Sequence, residues 1–152
     1  MNAKPSRLAR WRSLSGAQRG TLLWAWFLLP VFWLGLRTLG LPRLQARIAA
    51  TPLAKQPLLP LTDVQALGDA VNIAARHTPF HVTCLSRSLV LGWLLRQRGV
   101  ASDLRIGARL VDGGLDAHAW VEFEGTPVND RADIAQTFAT FGDIVPLAAF
   151  DQ

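Results

Sequence analysis

The 152-residue chain has a single cysteine, Cys84, and three histidines. Cys84 follows a polar loop, HTPFHVT, and opens an apolar run, with Thr83 placed as a helix N-cap. A thiol there feels the positive end of the helix dipole, which favours the thiolate, the nucleophilic form. First-turn backbone N–H groups lack intrahelical acceptors, so they can serve an oxyanion. His118 begins a strand-like string, His118-Ala119-Trp120-Val121-Glu122, right after a turn. A neutral imidazole near a thiol can act as general base, then as general acid toward a leaving amine. Asp130 lies near the end of the next short strand, where antiparallel pairing can set it across from His118. A carboxylate there would orient the ring and stabilise the imidazolium. Each residue alone also has a plain structural reading: a buried thiol, a strand histidine, a turn-capping aspartate.

Three neighbours are weaker candidates for support. Arg87 sits about one helical turn after Cys84, in reach of Asp130, Glu122 or a substrate. Trp120 shares a strand face with His118 and could shield a His–Asp hydrogen bond, or simply pack in the core. His81, three residues before Cys84, could assist the oxyanion. Asn129 reads as a turn or strand-end residue.

Other chemistries are excluded. One cysteine forbids a disulfide framework, and with three histidines it cannot assemble a Cys₄, Cys₃His or Cys₂His₂ zinc site. No phosphate-binding glycine loop occurs, so no cofactor or metal is expected. Half the residues are apolar, which rules out a wholly disordered chain.

The elements that must position these residues read from the body of the chain, 62–152. Thr62 and Gln65 have capping-box spacing, which predicts a helix from about Asp63 to Arg76. A second helix runs from Cys84 to about Arg98, with Gly99 as its stop and Arg96 and Arg98 complementing its C-terminal dipole. Leu104, Ile106, Ala108 and Leu110 then alternate with polar or small residues, which predicts a strand with one buried face. Asp112-Gly113-Gly114 marks a hairpin, Gly125-Thr126-Pro127 a second turn, and Val128-Asn129-Asp130 the opening of a third strand. Ile134 to Phe141 reads as a last helix. The expected class is α+β, helices followed by an antiparallel meander.

Residues 84–130 resemble a known family. Cys84-Leu85-Ser86-Arg87-Ser88-Leu89-Val90-Leu91 with Leu94-Leu95-Arg96-Gln97-Arg98-Gly99 is similar to the nucleophile helix of the transglutaminase-like leader peptidases of lasso-peptide biosynthesis, the B2 proteins. His118-Ala119-Trp120-Val121-Glu122 and Pro127-Val128-Asn129-Asp130 resemble that family's His and Asp segments. The resemblance implies a papain-like cysteine protease core, with Cys84 as nucleophile, His118 as base and Asp130 as orienter. It implies a ribosomally made precursor peptide as substrate, cut between leader and core. Residues 1–60 show no strand-rich leader-binding module, so the stand-alone form is implied, with a separate leader-recognition protein (B1) as partner. The macrolactam synthetase that consumes the freed N-terminus is a further implied partner, and the expected location is cytoplasmic. Other acyl transfer by the same triad, transamidation or amide hydrolysis, is the nearest alternative.

The front, 1–61, differs in character. Residues 1–55 hold nine Lys or Arg and no acid, whereas 56–152 hold seven Arg against eleven Asp or Glu. Gly20–Leu36 carries no charge, and a straight helix of that length spans roughly 26 Å, just short of a bilayer core. Pro30 should kink or split it. Ser15 and Gln18 form a capping box at its start, and Leu22, Trp26, Leu29, Trp33 and Leu36 make a stripe along it. Pro42 suits the first turn of a short basic helix ending near Ala50, and Pro52, Pro57 and Pro60 mark an extended linker to the body. Three readings of the apolar helix stand open: packing on the body or a protein partner, attachment to a membrane surface, and a transmembrane span. A separate functional alternative is a non-enzymatic membrane-associated adaptor, in which the front helices do the work and Cys84 is merely core. No nucleic-acid partner is expected.

Overall fold

The computed structural model describes residues 14–55 and 58–141. Lys4, Arg7, Arg10, Arg12 and the linker's Pro57 lie outside the described residues.

Helix α1 (Gly16–Leu39) begins at the expected capping box: Gln18 N donates to Ser15 Oγ, and Ser15 N to Gln18 Oε1. It neither splits nor stops at Pro30. An internal proline costs about 3 kcal/mol. Leu28, Leu29 and Phe32 flank it and are all buried in the main core, which offsets that cost. Gly40 (φ +76) turns the chain into α2 (Leu41–Ala50), which carries Pro42 in its first turn and buries Leu44, Gln45 and Ile48.

Helix α3 (Leu61–Arg76) starts one residue before Thr62, so the Thr62/Gln65 spacing is not a cap. Pro60 is the N-cap residue, with no side-chain bond, and its carbonyl takes Asp63 N and Val64 N. The proline ring already fixes the backbone needed there. Helix α4 (Cys84–Gln97) has the expected Thr83 N-cap, and Gly99 (φ +74) ends it. Leu89, Val90, Leu91, Leu94 and Leu95 are all at most 2 % exposed, so this helix runs through the middle of the core. Of its two last-turn arginines, Arg96 serves α2 instead, donating to Thr51 O and Ala49 O. Arg98 donates to Leu94 O of its own helix and to Thr21 Oγ1 of α1.

Strands β1 (Asp103–Val111) and β2 (Gly114–Phe123) form a hairpin with Gly107 opposite His118. Asp112 and Gly113 both have positive φ, the two-residue turn whose twist suits a hairpin. The buried face expected of β1 stops short of its end: Leu110 is 79 % exposed because the hairpin tip projects past the helices. The third strand is earlier and shorter than Val128-Asn129-Asp130. It is β3 (Thr126–Pro127), after a Glu124-Gly125 turn; Val128 N still donates to Val121 O at 3.0 Å, and Asn129 and Asp130 then leave the ladder. The expected last helix is one turn, α5 (Ile134–Thr137), after which β4 (Ala139–Thr140) joins the far side of β1. The sheet order is β3-β2-β1-β4, all antiparallel, so the class is α+β.

One hydrophobic core joins Leu22 of α1 to Val64 of α3, Leu89 of α4 and Val121 of β2. A smaller cluster of Trp120, Ile134 and Phe138 covers the other face of the sheet.

Candidate active site

Cys84 is partly buried and free of any disulfide. It is the first residue of α4, and the N-cap consumes the next donors along. Ser86 N donates to Thr83 Oγ1 at 3.2 Å and Arg87 N to Thr83 O at 3.2 Å. Among the described residues the N–H groups of Cys84 and Leu85 have no partner at the positive end of the helix, an arrangement suited to an oxyanion.

The loop before Cys84 is pinned by α1. Trp26 Nε1 donates to His77 O at 3.2 Å, and the Trp33 and Phe80 rings lie 5.7 Å apart. Two tryptophans of the front helix therefore hold the approach to the thiol.

His118 and Asp130 meet as expected. His118 Nε2 lies 2.6 Å from Asp130 Oδ2, with both side chains about one-fifth exposed. The second oxygen, Asp130 Oδ1, accepts from Arg131 N at 2.8 Å. A carboxylate only accepts, so in the neutral ring Nε2 carries the proton and Nδ1 is the free base. The ring rests 5.2 Å from Phe138 and 6.3 Å from Trp120, centroid to centroid, so it is walled from water on the sheet side.

The thiol and the His–Asp pair are joined through two residues that sequence reasoning missed. Because backbone pairing with β2 ends at Val128, the edge of β2 beyond Val121 is open, and α4 fills it. Ser88 Oγ, one turn after Cys84, donates to Ala119 O at 3.1 Å, next to His118. Asn129, beside Asp130 and 6 % exposed, replaces the missing strand. Its Oδ1 accepts from Val121 N at 2.8 Å, and its Nδ2 donates to Ser88 Oγ at 3.1 Å. Asn72 of α3 donates to Asn129 O at 2.8 Å. Helix α3 comes so close here that a Cβ on Gly68 would sit 1.8 Å from Val128 O. The signal for this contact was a glycine inside a good helix, which costs about 1 kcal/mol unless something must approach.

The supporting candidates divide. Trp120 lies beside His118 as expected, fully buried, and its Nε1 donates to Glu122 Oε1 at 2.9 Å. Glu122 is also paired with Arg105 at 2.9 Å. Arg87 reaches neither Asp130 nor Glu122; its Nη1 donates to Asn72 Oδ1 at 3.1 Å, because its helix face points to α3. His81 is exposed and has no hydrogen-bond partner among the described residues. Among the described residues no group of three or more His, Cys, Asp or Glu is placed to hold a metal.

A thiol at a helix start, a base with one nitrogen free, and two unpaired N–H groups together suit nucleophilic acyl chemistry. Comparison with curated proteins gives no match, and neither does comparison with solved structures. The family model described as the transglutaminase-like superfamily matches residues 26–142, from within α1 to just past β4. Members of that superfamily generally carry out cysteine-dependent peptidase or acyl-transfer reactions. By this match over most of its length, the chain belongs to the transglutaminase-like superfamily.

Proposed function

We propose that the protein is a cysteine endopeptidase that removes the leader from a ribosomally made precursor peptide in lasso-peptide biosynthesis. The observation that carries the chemistry is the His118–Asp130 bond of 2.6 Å, set at the strand edge where the Cys84 helix docks through Ser88. The resemblance of residues 84–130 to the leader peptidases supports the substrate class.

In this reading His118 Nδ1 takes the thiol proton and the Cys84 sulfur attacks the scissile carbonyl. The Cys84 and Leu85 N–H groups stabilise the oxyanion. Collapse breaks the C–N bond, His118 protonates the departing amine of the core peptide, and the leader remains as a thioester. Water, deprotonated by His118, then releases the leader as a free acid. Asp130 keeps the ring in the Nε2–H form and stabilises its charged state. A separate leader-binding protein delivers the precursor and raises the effective concentration of the scissile bond.

The test is mass spectrometry of a leader–core precursor incubated with the enzyme, with and without that leader-binding protein. Two fragments summing to the precursor plus one water support the reading, with stimulation greatest at low substrate. Incorporation of an added amine in place of water, with no free leader acid, contradicts it in favour of transamidation.

A further inference from the structure

Helix α1 is apolar on two opposite faces. One, with Leu22, Ala25, Leu28, Leu29 and Phe32, is in the core. The other carries Leu23, Trp24, Phe27, Val31 and Leu34, each 48–57 % exposed, with the Trp24 and Phe27 rings stacked at 5.9 Å. The expected stripe of Trp26, Leu29, Trp33 and Leu36 is not the open one: Leu29 is core, Leu36 packs against it, and Trp33 and the 43 % exposed Trp26 contact the loop before Cys84. Five large apolar side chains exposed together on one helix face mark a docking surface.

Its surroundings specify the occupant. Charge is missing from the whole stretch Gly20–Leu36, and cations bracket it: Arg19 before and Arg37 after, about five turns apart and therefore on one flank of the helix. Arg37, Arg43 and Arg47 are exposed, and none is in an ion pair among the described residues. No acid occurs anywhere in residues 1–55. Protein interfaces carry several hydrogen bonds. Between Gly20 and Leu36 this face offers a single polar side-chain group, the Trp24 indole N–H, which suits the water–hydrocarbon boundary.

We propose that the outer face of α1 docks in the plane of an anionic lipid surface, with Leu23, Trp24, Phe27, Val31 and Leu34 inserted and the basic flank on the headgroups. The helix has the length and hydropathy of a membrane span. It lies on the surface instead of crossing, because its inner face is core from Leu22 to Phe32 and crossing would strip that core open. Since Trp26 and Trp33 of the same helix hold residues 77–80, docking would place the Cys84 entrance close to the lipid.

Vesicle flotation of the full chain tests this, using phosphatidylcholine alone and phosphatidylcholine mixed with phosphatidylglycerol. The wild type should float with the anionic vesicles, less so at high salt, with a blue shift of tryptophan fluorescence. Phe27→Gln with Leu34→Gln should lower vesicle affinity about tenfold or more, with an unchanged circular dichroism spectrum. Arg37→Gln with Arg43→Gln and Arg47→Gln should abolish the preference for anionic lipid. Three results would overturn the proposal: no flotation of the wild type with either vesicle, binding by Phe27→Gln/Leu34→Gln equal to wild type, or a wild-type dimer that this pair of changes converts to monomer.

Discussion

Asn129 Nδ2 donates to Ser88 Oγ at 3.1 Å, and this contact ties the loop that carries Asp130 to the helix that Cys84 opens. Ser88 passes the connection on to Ala119 O, one residue from His118. The three candidate catalytic residues come from three elements, and these two polar side chains, both nearly inaccessible, link those elements. Asn129→Ala removes the acceptor of Val121 N and the donor to Ser88 together. It should cost about 2 kcal/mol, lowering Tm by roughly 5 °C. The more telling readout is kinetic: kcat should fall with little change in KM, since substrate contacts are untouched. Asn129→Asp, which keeps one acceptor but loses the donor, should fall between.

Gly68 gives a test with a reversed sign. In an ordinary helix interior Gly→Ala stabilises by about 1 kcal/mol. Here the new Cβ would sit 1.8 Å from Val128 O, a backbone atom that cannot move without shifting Asn129 and Asp130. Gly68→Ala should therefore destabilise by about 3 kcal/mol or more and depress activity. Gly92→Ala in α4 is the control, with nothing within 4 Å of its Cβ. It should gain about 0.5–1 kcal/mol. Urea titration of both variants checks the pair.

Both oxygens of Asp130 are occupied, one by His118 Nε2 and one by Arg131 N. An asparagine has only one oxygen. In Asp130→Asn, either Arg131 N faces an amide NH₂, or His118 does and must change tautomer, which removes the free base at Nδ1. Activity should drop on the order of 10²–10³-fold, with the fold retained. Proton-detected NMR of the His118 ring would report which nitrogen carries hydrogen in each form.

Much of this arrangement was legible in the chain because its signals are local. Ser15 with Gln18 and Thr83 with Ser86 bond within one turn, so spacing alone reveals them. The Asp112-Gly113 turn and the alternation from His118 onward fixed the hairpin, and with it the approach of Asp130 to His118. Tertiary contacts were less visible. Thr62 and Gln65 have the spacing of a cap, but Pro60 had already begun the helix. A buried helix face carries α1 through Pro30 against local preference. With both sides of α1 apolar, periodicity could not say which stripe faces inward. Asn129 read as a turn residue because the partner it serves, Ser88, is 41 positions away.

Trp33 and Phe80 offer a separate probe of the front helix. Phe80→Ala breaks the ring contact of 5.7 Å without entering the main core. It should leave stability within about 1 kcal/mol of wild type. If the loop positions the thiol, alkylation of Cys84 by iodoacetamide should change several-fold in rate, read by intact mass, since no other cysteine reacts.

Cleavage of a leader–core precursor by the Cys84→Ala protein tests the central claim most directly. The thiol is small and its helix start is capped by Thr83, so the variant should keep the wild-type circular dichroism spectrum and Tm. Wild type should release leader and core while Cys84→Ala releases neither, with His118→Ala nearly as inactive. Release of leader by folded Cys84→Ala at the wild-type rate would contradict it.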